Sequence, residues 1–273
     1  MDRDVAVVIG VGGMGLAIAR RVGGGRRLLL ADFNEATLAA AADQLRGDGH
    51  DVTAQMVDVS DRASVAALAD AAAALGAVTQ VAHTAGLSPV QAPTTAILSV
   101  DLVGVAYVLD EFARVIATGG ACVVIASMAG HMGAFPPEME AALATTPAAD
   151  LLTLPFLAPD ALDPGAAYGI AKRGNSFRVQ AAATAWGRRG ARVNVISPGV
   201  ISTPMGQAEL AGPHGDQMRV MIAMSGTGRV GTPDDIADAA AFLLGPTASF
   251  ITGADLLVDG GVVAAIRTMQ PPA

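Results

Sequence analysis

Cysteine, aromatic residues and charge are all scarce in this chain, and each scarcity excludes something. A single cysteine, Cys122, rules out any disulfide within the chain, and with it a small cross-linked scaffold. It lies in the apolar run 121–126 and reads as a small core residue. Only 15% of residues are charged, and 25 Asp+Glu against 17 Lys+Arg leave a net charge of −8. No positive field is available to gather nucleic acid or an anionic membrane surface. No uninterrupted apolar stretch reaches the roughly 18 residues of a membrane span. The first ten residues are acidic and run straight into a strand pattern, so no signal peptide is expected. Nothing repetitive or of low complexity divides the chain, although the Pro271-Pro272-Ala273 end is expected to fray. One compact α/β domain of 273 residues in the cytoplasm is the expectation, with no metal.

What the chain does have is an apolar segment, 5–9, followed by Gly10-Val11-Gly12-Gly13-Met14-Gly15 and a helical pattern over 16–22. Two phosphates can approach bare backbone N–H groups at such a helix start, where the dipole favours negative charge and a Cβ would be in the way. A second apolar strand, 28–31, ends at Asp32, twenty-two residues after Gly10. A carboxylate there accepts hydrogen bonds from a ribose diol and repels a 2′-phosphate, which favours NAD(H) over NADP(H). Arg20 and Arg21 lie too far along the first helix to reverse that preference. Asp32 could alternatively cap the next helix, but Asn34 is equally placed to do so.

Strand and helix patterns then alternate. Strands are expected at 52–56, 79–82, 121–126, 192–196 and 254–258, and helices at 62–75, 94–118, 166–188 and 233–244. This order predicts a doubly wound, seven-stranded parallel sheet covered on both faces, with ligands at the C-terminal ends of its strands.

The candidate chemistry falls at those ends. Ser127 follows the fifth strand, and Tyr168 and Lys172 share a helix face four residues apart. A phenol titrates near pH ~10, and a neighbouring ammonium favours its ionised form. Bringing it to near neutrality takes roughly 4 kcal/mol of preference for the phenolate, and would make it a working general acid/base. Only two tyrosines occur in the chain, and one stands at this place.

With these residues in place, the sequence resembles the short-chain dehydrogenase/reductase family over almost its whole length. The resemblance rests on Thr84-Ala85-Gly86, Ala126-Ser127-Met128-Ala129-Gly130, the Tyr168/Lys172 pair, Arg192-Val193-Asn194-Val195-Ile196-Ser197-Pro198-Gly199 and Val258-Asp259-Gly260-Gly261. It implies catalysis by Ser127, Tyr168 and Lys172, with NAD held by Gly10, Gly12, Gly13, Met14, Gly15, Asp32, Asp58, Val59, Ala85 and Gly86. The same set includes Tyr168, Lys172, Pro198, Gly199, Ile201 and Thr203. Family members commonly form dimers or tetramers through the helices expected at 94–118 and 166–188. The implied reaction interconverts an alcohol and a ketone. A sugar-nucleotide epimerase or a dinucleotide-binding module with decayed catalysis are the alternatives.

Four departures from the family pattern individualise the chain. Its glycine turn is one residue short. Asp101 stands where the family usually places an asparagine that organises a relay water, and its charge would compete with Tyr168 for the field of Lys172, raising the phenol. His83 occupies the first position of the family's Asn-Asn-Ala-Gly turn, ahead of Thr84-Ala85-Gly86, where a hydrogen-bonding role at the strand end is expected. Ser127 and Tyr168 lie 41 positions apart, which implies an insertion at about 135–164 near the substrate pocket. It contains a helical stretch, 138–144, and an apolar run, 151–157. It reads either as a lid lined by apolar side chains, favouring a bulky hydrophobic substrate, or as a loop that alters oligomer packing; some bacterial hydroxysteroid dehydrogenase/carbonyl reductases are similar in having a long insertion at this place. Met205, Met218, Met221 and Met224 offer a further adaptable apolar wall.

Overall fold

Seven strands form one sheet: β1 (Val5–Ile9), β2 (Arg27–Asp32), β3 (Asp51–Met56), β4 (Val78–His83), β5 (Ile116–Ile125), β6 (Arg192–Pro198) and β7 (Asp255–Val258). Their order is β3-β2-β1-β4-β5-β6-β7 and every pairing is parallel, as expected. This computed structural model describes residues 3–269; the end expected to fray lies outside them. Both sheet faces are covered, which is why all five residues of β1 are buried and apolar rather than alternating. Successive side chains point to opposite faces. Val5, Val7 and Ile9 therefore join a core with Phe112 and Trp186, while Ala6 and Val8 join one with Ile18, Leu30 and Leu243.

The connecting helices are α1 (Gly13–Val22), α2 (Glu35–Gly47), α3 (Arg62–Leu75), α4 (Thr94–Ile97), α5 (Gly104–Val115), α6 (Pro137–Thr145), α7 (Pro164–Arg188), α8 (Pro204–Ala211), α9 (Gly215–Met224), α10 (Pro233–Leu244) and α11 (Val262–Met269). Asn34, not Asp32, caps α2, its side chain accepting from the Thr37 N–H. Asp163 caps α7 by accepting from the Ala166 N–H, and Pro164 fits the first turn.

The single helix expected at 94–118 is instead α4 and α5 joined by a π-helical segment, Leu98–Val103. It ends at Val115. Ile116 turns extended and pairs with Val78, so β5 begins five residues earlier than expected. The π segment carries Asp101, and such widened turns recur at functional sites.

The insertion folds as α6 and three short 3-10 turns, Ala148–Thr153, Pro155–Leu157 and Pro159–Ala161, punctuated by prolines. Leu143, Leu151 and Leu157 are fully buried against Leu98, Leu102 and Phe177. The Arg178 guanidinium donates to the Leu143 and Thr146 carbonyls at 3.1 and 2.9 Å, clamping α6 to α7. The insertion thus packs on the helical layer, against the helices through which the family resemblance expects subunits to meet.

Candidate active site

The sheet's winding direction reverses between β1 and β4, opening a crevice at the C-terminal strand ends. Gly10 turns the chain out of β1 with φ +87°, and a Cβ there would overlap the Ala85 backbone. At Gly15 a Cβ would overlap the Gly10 carbonyl, so the shortened glycine turn still needs bare backbone to seat α1 against β1. Gly12 caps α1 without a side-chain hydrogen bond and has open space beside it, and no acidic residue occupies the first turn. The leading N–H groups of Gly12, Gly13 and Met14 therefore form the kind of cradle a pyrophosphate fits. Arg20 is engaged with Asp48 and Arg21 with Asp238, which leaves both committed elsewhere.

The other residues assigned to cofactor binding gather along the same crevice. Asp32 Oδ2 accepts from the Val11 N–H at 2.8 Å and Oδ1 from the Asn34 N–H at 2.9 Å, which fixes the carboxylate at the end of β2. Asp58 Oδ1 accepts from the Ser60 N–H and hydroxyl at 2.9 and 2.6 Å, shaping the turn after β3, and Val59 packs against Gly104. Ala85 donates its N–H to the Ile9 carbonyl, and Gly86 lies against the Lys172 ammonium. Pro198, Gly199, Ile201 and Thr203 line the far wall, with the Thr203 hydroxyl capping α8.

Ser127, Tyr168 and Lys172 converge at the centre. Ser127 caps the turn after β5, its Oγ accepting from the Ala129 N–H at 3.2 Å. Tyr168 stands in the second turn of α7, and the Lys172 ammonium lies 5.4 Å from its ring centroid. That ammonium also meets Asp101 Oδ2 at 3.1 Å and the Ile125 carbonyl at 3.4 Å. Asp101 Oδ1 accepts from the Leu87 N–H at 2.7 Å. Lysine and aspartate are both buried, so this is an ion pair held out of water in direct contact.

Two electrostatic expectations change here. Burial pushes the Tyr168 phenol up; Lys172 and the Ser127 hydroxyl pull it down, while Asp101 and Glu209 push it up further, and the net direction is upward. The ammonium alone does not bring this phenol toward neutrality. Burial opposes the Lys172 ammonium, but Asp101 and Tyr168 outweigh it and hold its pKa above the ordinary value. Burial pushes the Asp101 carboxyl up against the pull of Lys172. His83 is the second correction. It is fully buried, and neither ring nitrogen has a hydrogen-bond partner among the described residues. Burial, with Lys172 adding to it, pushes its pKa down to about 3, so the ring is neutral rather than a hydrogen-bonding strand end.

Ser127 and Tyr168 face a cavity of about 420 Å³, in the ordinary range of ligand pockets. Val90, Met128, Met132, Met205, Met218 and Met221 supply apolar walls. Met224 does not reach it. No residue of 135–164 is among its lining, although Met132 and Gly165 on either side of the insertion are. The insertion's buried leucines, Leu143, Leu151 and Leu157, pack on the helical layer instead. Sequence reasoning missed Glu209, which lines the cavity together with His214 and Gln217. Its signal was present: Glu209 follows Met205 by four, so the two share a face of one helix. A second signal was equally plain, since Lys172 is the chain's only lysine among 17 basic residues.

Comparison with known proteins bears on this arrangement directly. Residues 4–138 match the family model for short chain dehydrogenase, and residues 138–263 match that described as Enoyl-(Acyl carrier protein) reductase. The "Short-chain dehydrogenase/reductase bsc3" of Alternaria brassicicola is 44% identical, with 97% of each chain covered. The chain belongs to the short-chain dehydrogenase/reductase family. D-threitol dehydrogenase of Mycolicibacterium smegmatis is 35% identical, covering 96% of this chain and 93% of that one. The crystal structure of levodione reductase superposes with a TM-score of 0.79 at 26% identity, covering 97% and 99%. The family places the chain among oxidoreductases that act on CH–OH groups with a nicotinamide dinucleotide.

Against that family pattern, the charge on Asp101 has a measurable consequence. If Tyr168 donates the proton in the reduction direction, activity falls as pH rises through its pKa. Asp101 raises that pKa, and Asp101→Asn removes the contribution. The alkaline limb of the pH–rate profile is expected to move to lower pH, and because the buried Lys172 ammonium loses its partner the variant should also be less stable than wild type. A limb that stays in place would mean that Asp101 is screened from Tyr168.

Proposed function

We propose that the protein is an NAD(H)-dependent oxidoreductase that interconverts a secondary alcohol and a ketone, with a bulky, largely apolar substrate such as a hydroxysteroid or another carbonyl compound. The observation that carries this reading is the placing of the Ser127 and Tyr168 hydroxyls on an apolar cavity, with the buried Lys172 ammonium behind the phenol. When bound, the nicotinamide supplies or accepts a hydride, which leaves the chain's own residues to orient the substrate oxygen and move one proton. Tyr168 Oη gives that proton to the oxygen in reduction and takes it in oxidation. Ser127 Oγ positions the same oxygen by hydrogen bonding. The Lys172 ammonium stabilises the phenolate against the cost of burial, and Asp101 fixes the ammonium's position.

The α1 cradle would hold the pyrophosphate, Asp32 the adenosine ribose, Asp58 and Val59 the adenine, and Lys172 the nicotinamide ribose. Ile201 and Thr203 would face the carboxamide. We place the enzyme in the cytoplasm as a homodimer or homotetramer, acting on a small molecule with no nucleic-acid or membrane partner. Among the described residues no helix is long and apolar enough to cross a membrane.

Asp32 supports NAD(H) over NADP(H), because its carboxylate sits at the β2 end and both Arg20 and Arg21 are paired with other carboxylates. Dissociation constants for NADH and NADPH, measured by fluorescence, should favour NADH in the wild type. Asp32→Ala should erase most of the difference. Equal or tighter NADPH binding by the wild type would overturn the assignment.

A further inference from the structure

The substrate cavity is apolar on most sides, but its lining is not neutral. Glu209 contributes the only carboxylate among its lining residues, and neither lysine nor arginine lines it. Glu209 projects from α8, on the same helical face as Met205, so the carboxylate is framed by the methionine wall rather than by solvating charges. The nearest cation in sequence, Arg219, is committed to Asp216 and the Leu210 carbonyl. His214 and Gln217, from the adjoining α9 region, complete a polar corner. The Ser127 and Tyr168 hydroxyls, which line the same cavity, are assigned to the reacting oxygen.

A half-buried carboxylate in such a setting forfeits hydration and regains it only from a hydrogen-bond donor. Burial does push the Glu209 carboxyl above its ordinary value, and the Ser88 hydroxyl offsets only part of this. A substrate anion entering here would meet that carboxylate with no cation to balance it.

Resting on the oxidoreductase reading, we propose that Glu209 is the specificity-determining residue of the cavity: it receives a hydrogen-bond donor, a hydroxyl or an ammonium, on the substrate's apolar body remote from the carbonyl, and it excludes substrates bearing a carboxylate or phosphate. The substrate class is then a hydroxylated or amino-substituted apolar ketone, with the matching alcohol in the reverse direction. The shared chemistry is donation to a carboxylate, and charge distinguishes its two forms.

The test uses the intact enzyme with NADH and cyclohexanones and decalones carrying a methyl, hydroxyl, ammonium or carboxylate group across the ring from the carbonyl. Wild type should favour the hydroxyl or ammonium ketones over the methyl ones through KM, and turn over the carboxylates least. Charge-assisted hydrogen bonds are the stronger ones, so Glu209→Gln should raise KM for an ammonium ketone about tenfold or more and for a hydroxyl ketone by less. Glu209→Lys should invert the series in favour of the carboxylate. Thermal denaturation and the NADH dissociation constant check that both variants fold. Preference for the hydroxyl alone, with a KM that rises in Glu209→Gln, identifies a neutral substrate; preference for the ammonium identifies a cationic one. Turnover of the ketones without discrimination, or discrimination unaffected by either variant, overturns the role of Glu209 while leaving the oxidoreductase reading standing. NADH binding with no ketone reduced overturns both.

Discussion

Tyr168→Phe is expected to leave the fold and NADH affinity close to wild type while lowering kcat by about 10²–10⁴-fold, the usual contribution of a positioned general acid/base. The ring is retained, so its packing against the Leu102 and Phe177 cluster is retained as well. Only the hydroxyl is lost, and Tyr168 is one of the residues that line the cavity. In the proposed mechanism Tyr168 carries the proton in both directions, so alcohol oxidation and ketone reduction should fall together. Steady-state kinetics on one verified ketone–alcohol pair, with circular dichroism to check the fold, measures this. Turnover within a few-fold of wild type would mean that another group carries the proton. A binding module with decayed catalysis makes a different forecast, in which no substrate is found and the substitution changes nothing beyond cofactor affinity.

Lys172→Met should be at least as damaging to activity, and it should also cost stability. The ammonium is the partner of a fully buried Asp101, and breaking a buried ion pair from one side typically costs about 3–5 kcal/mol. Burial already pushes the Asp101 carboxyl upward, and without Lys172 nothing of opposite charge restrains it. A carboxyl whose folded-state pKa lies above its unfolded one disfavours the fold progressively as it ionises. The destabilisation is therefore small at acid pH and grows as pH rises through that pKa. Adding Asp101→Asn to Lys172→Met removes the stranded charge, so stability should largely return while activity does not. Denaturant unfolding between pH 5 and pH 8 in the three variants separates these effects. A double variant as unstable as the single one would show that the pair is not the source of the loss.

Much of this architecture was legible because the relevant signals are local. The glycine turn, the apolar runs and the Tyr168/Lys172 spacing each specify a short segment, and alternating strands and helices leave few topologies open. The π segment was not legible. Residues 98–103 keep an apolar periodicity close to helical, and only the packing of Asp101 beside Lys172 reveals the wider turn. The end of α5 was missed for a related reason: residues 116–118 suit either helix or strand, and pairing with Val78 decides for strand. The course of the insertion was not legible because its ends flank Ser127 and Tyr168, whereas its path depends on contacts far away in sequence, Leu143 with Leu102 and Arg178 with Thr146. His83 and Tyr168 share another limit. Neighbouring residues in sequence suggest charge partners, but the degree of burial, which sets the direction of both shifts, is a property of the folded whole.

The central claim is that this site passes a hydride between a nicotinamide and a substrate carbon while Tyr168 manages the proton. Incubating the enzyme with NADH deuterated at the reactive C4 position and a panel of cyclic and steroidal ketones, then analysing the alcohols by mass spectrometry, tests it most directly. The account predicts one deuterium per product molecule, on the carbinol carbon, formed faster with NADH than with NADPH and lost in Tyr168→Phe. Tight NADH binding with no labelled alcohol from any ketone, or label that persists at the wild-type rate in Tyr168→Phe, would contradict it.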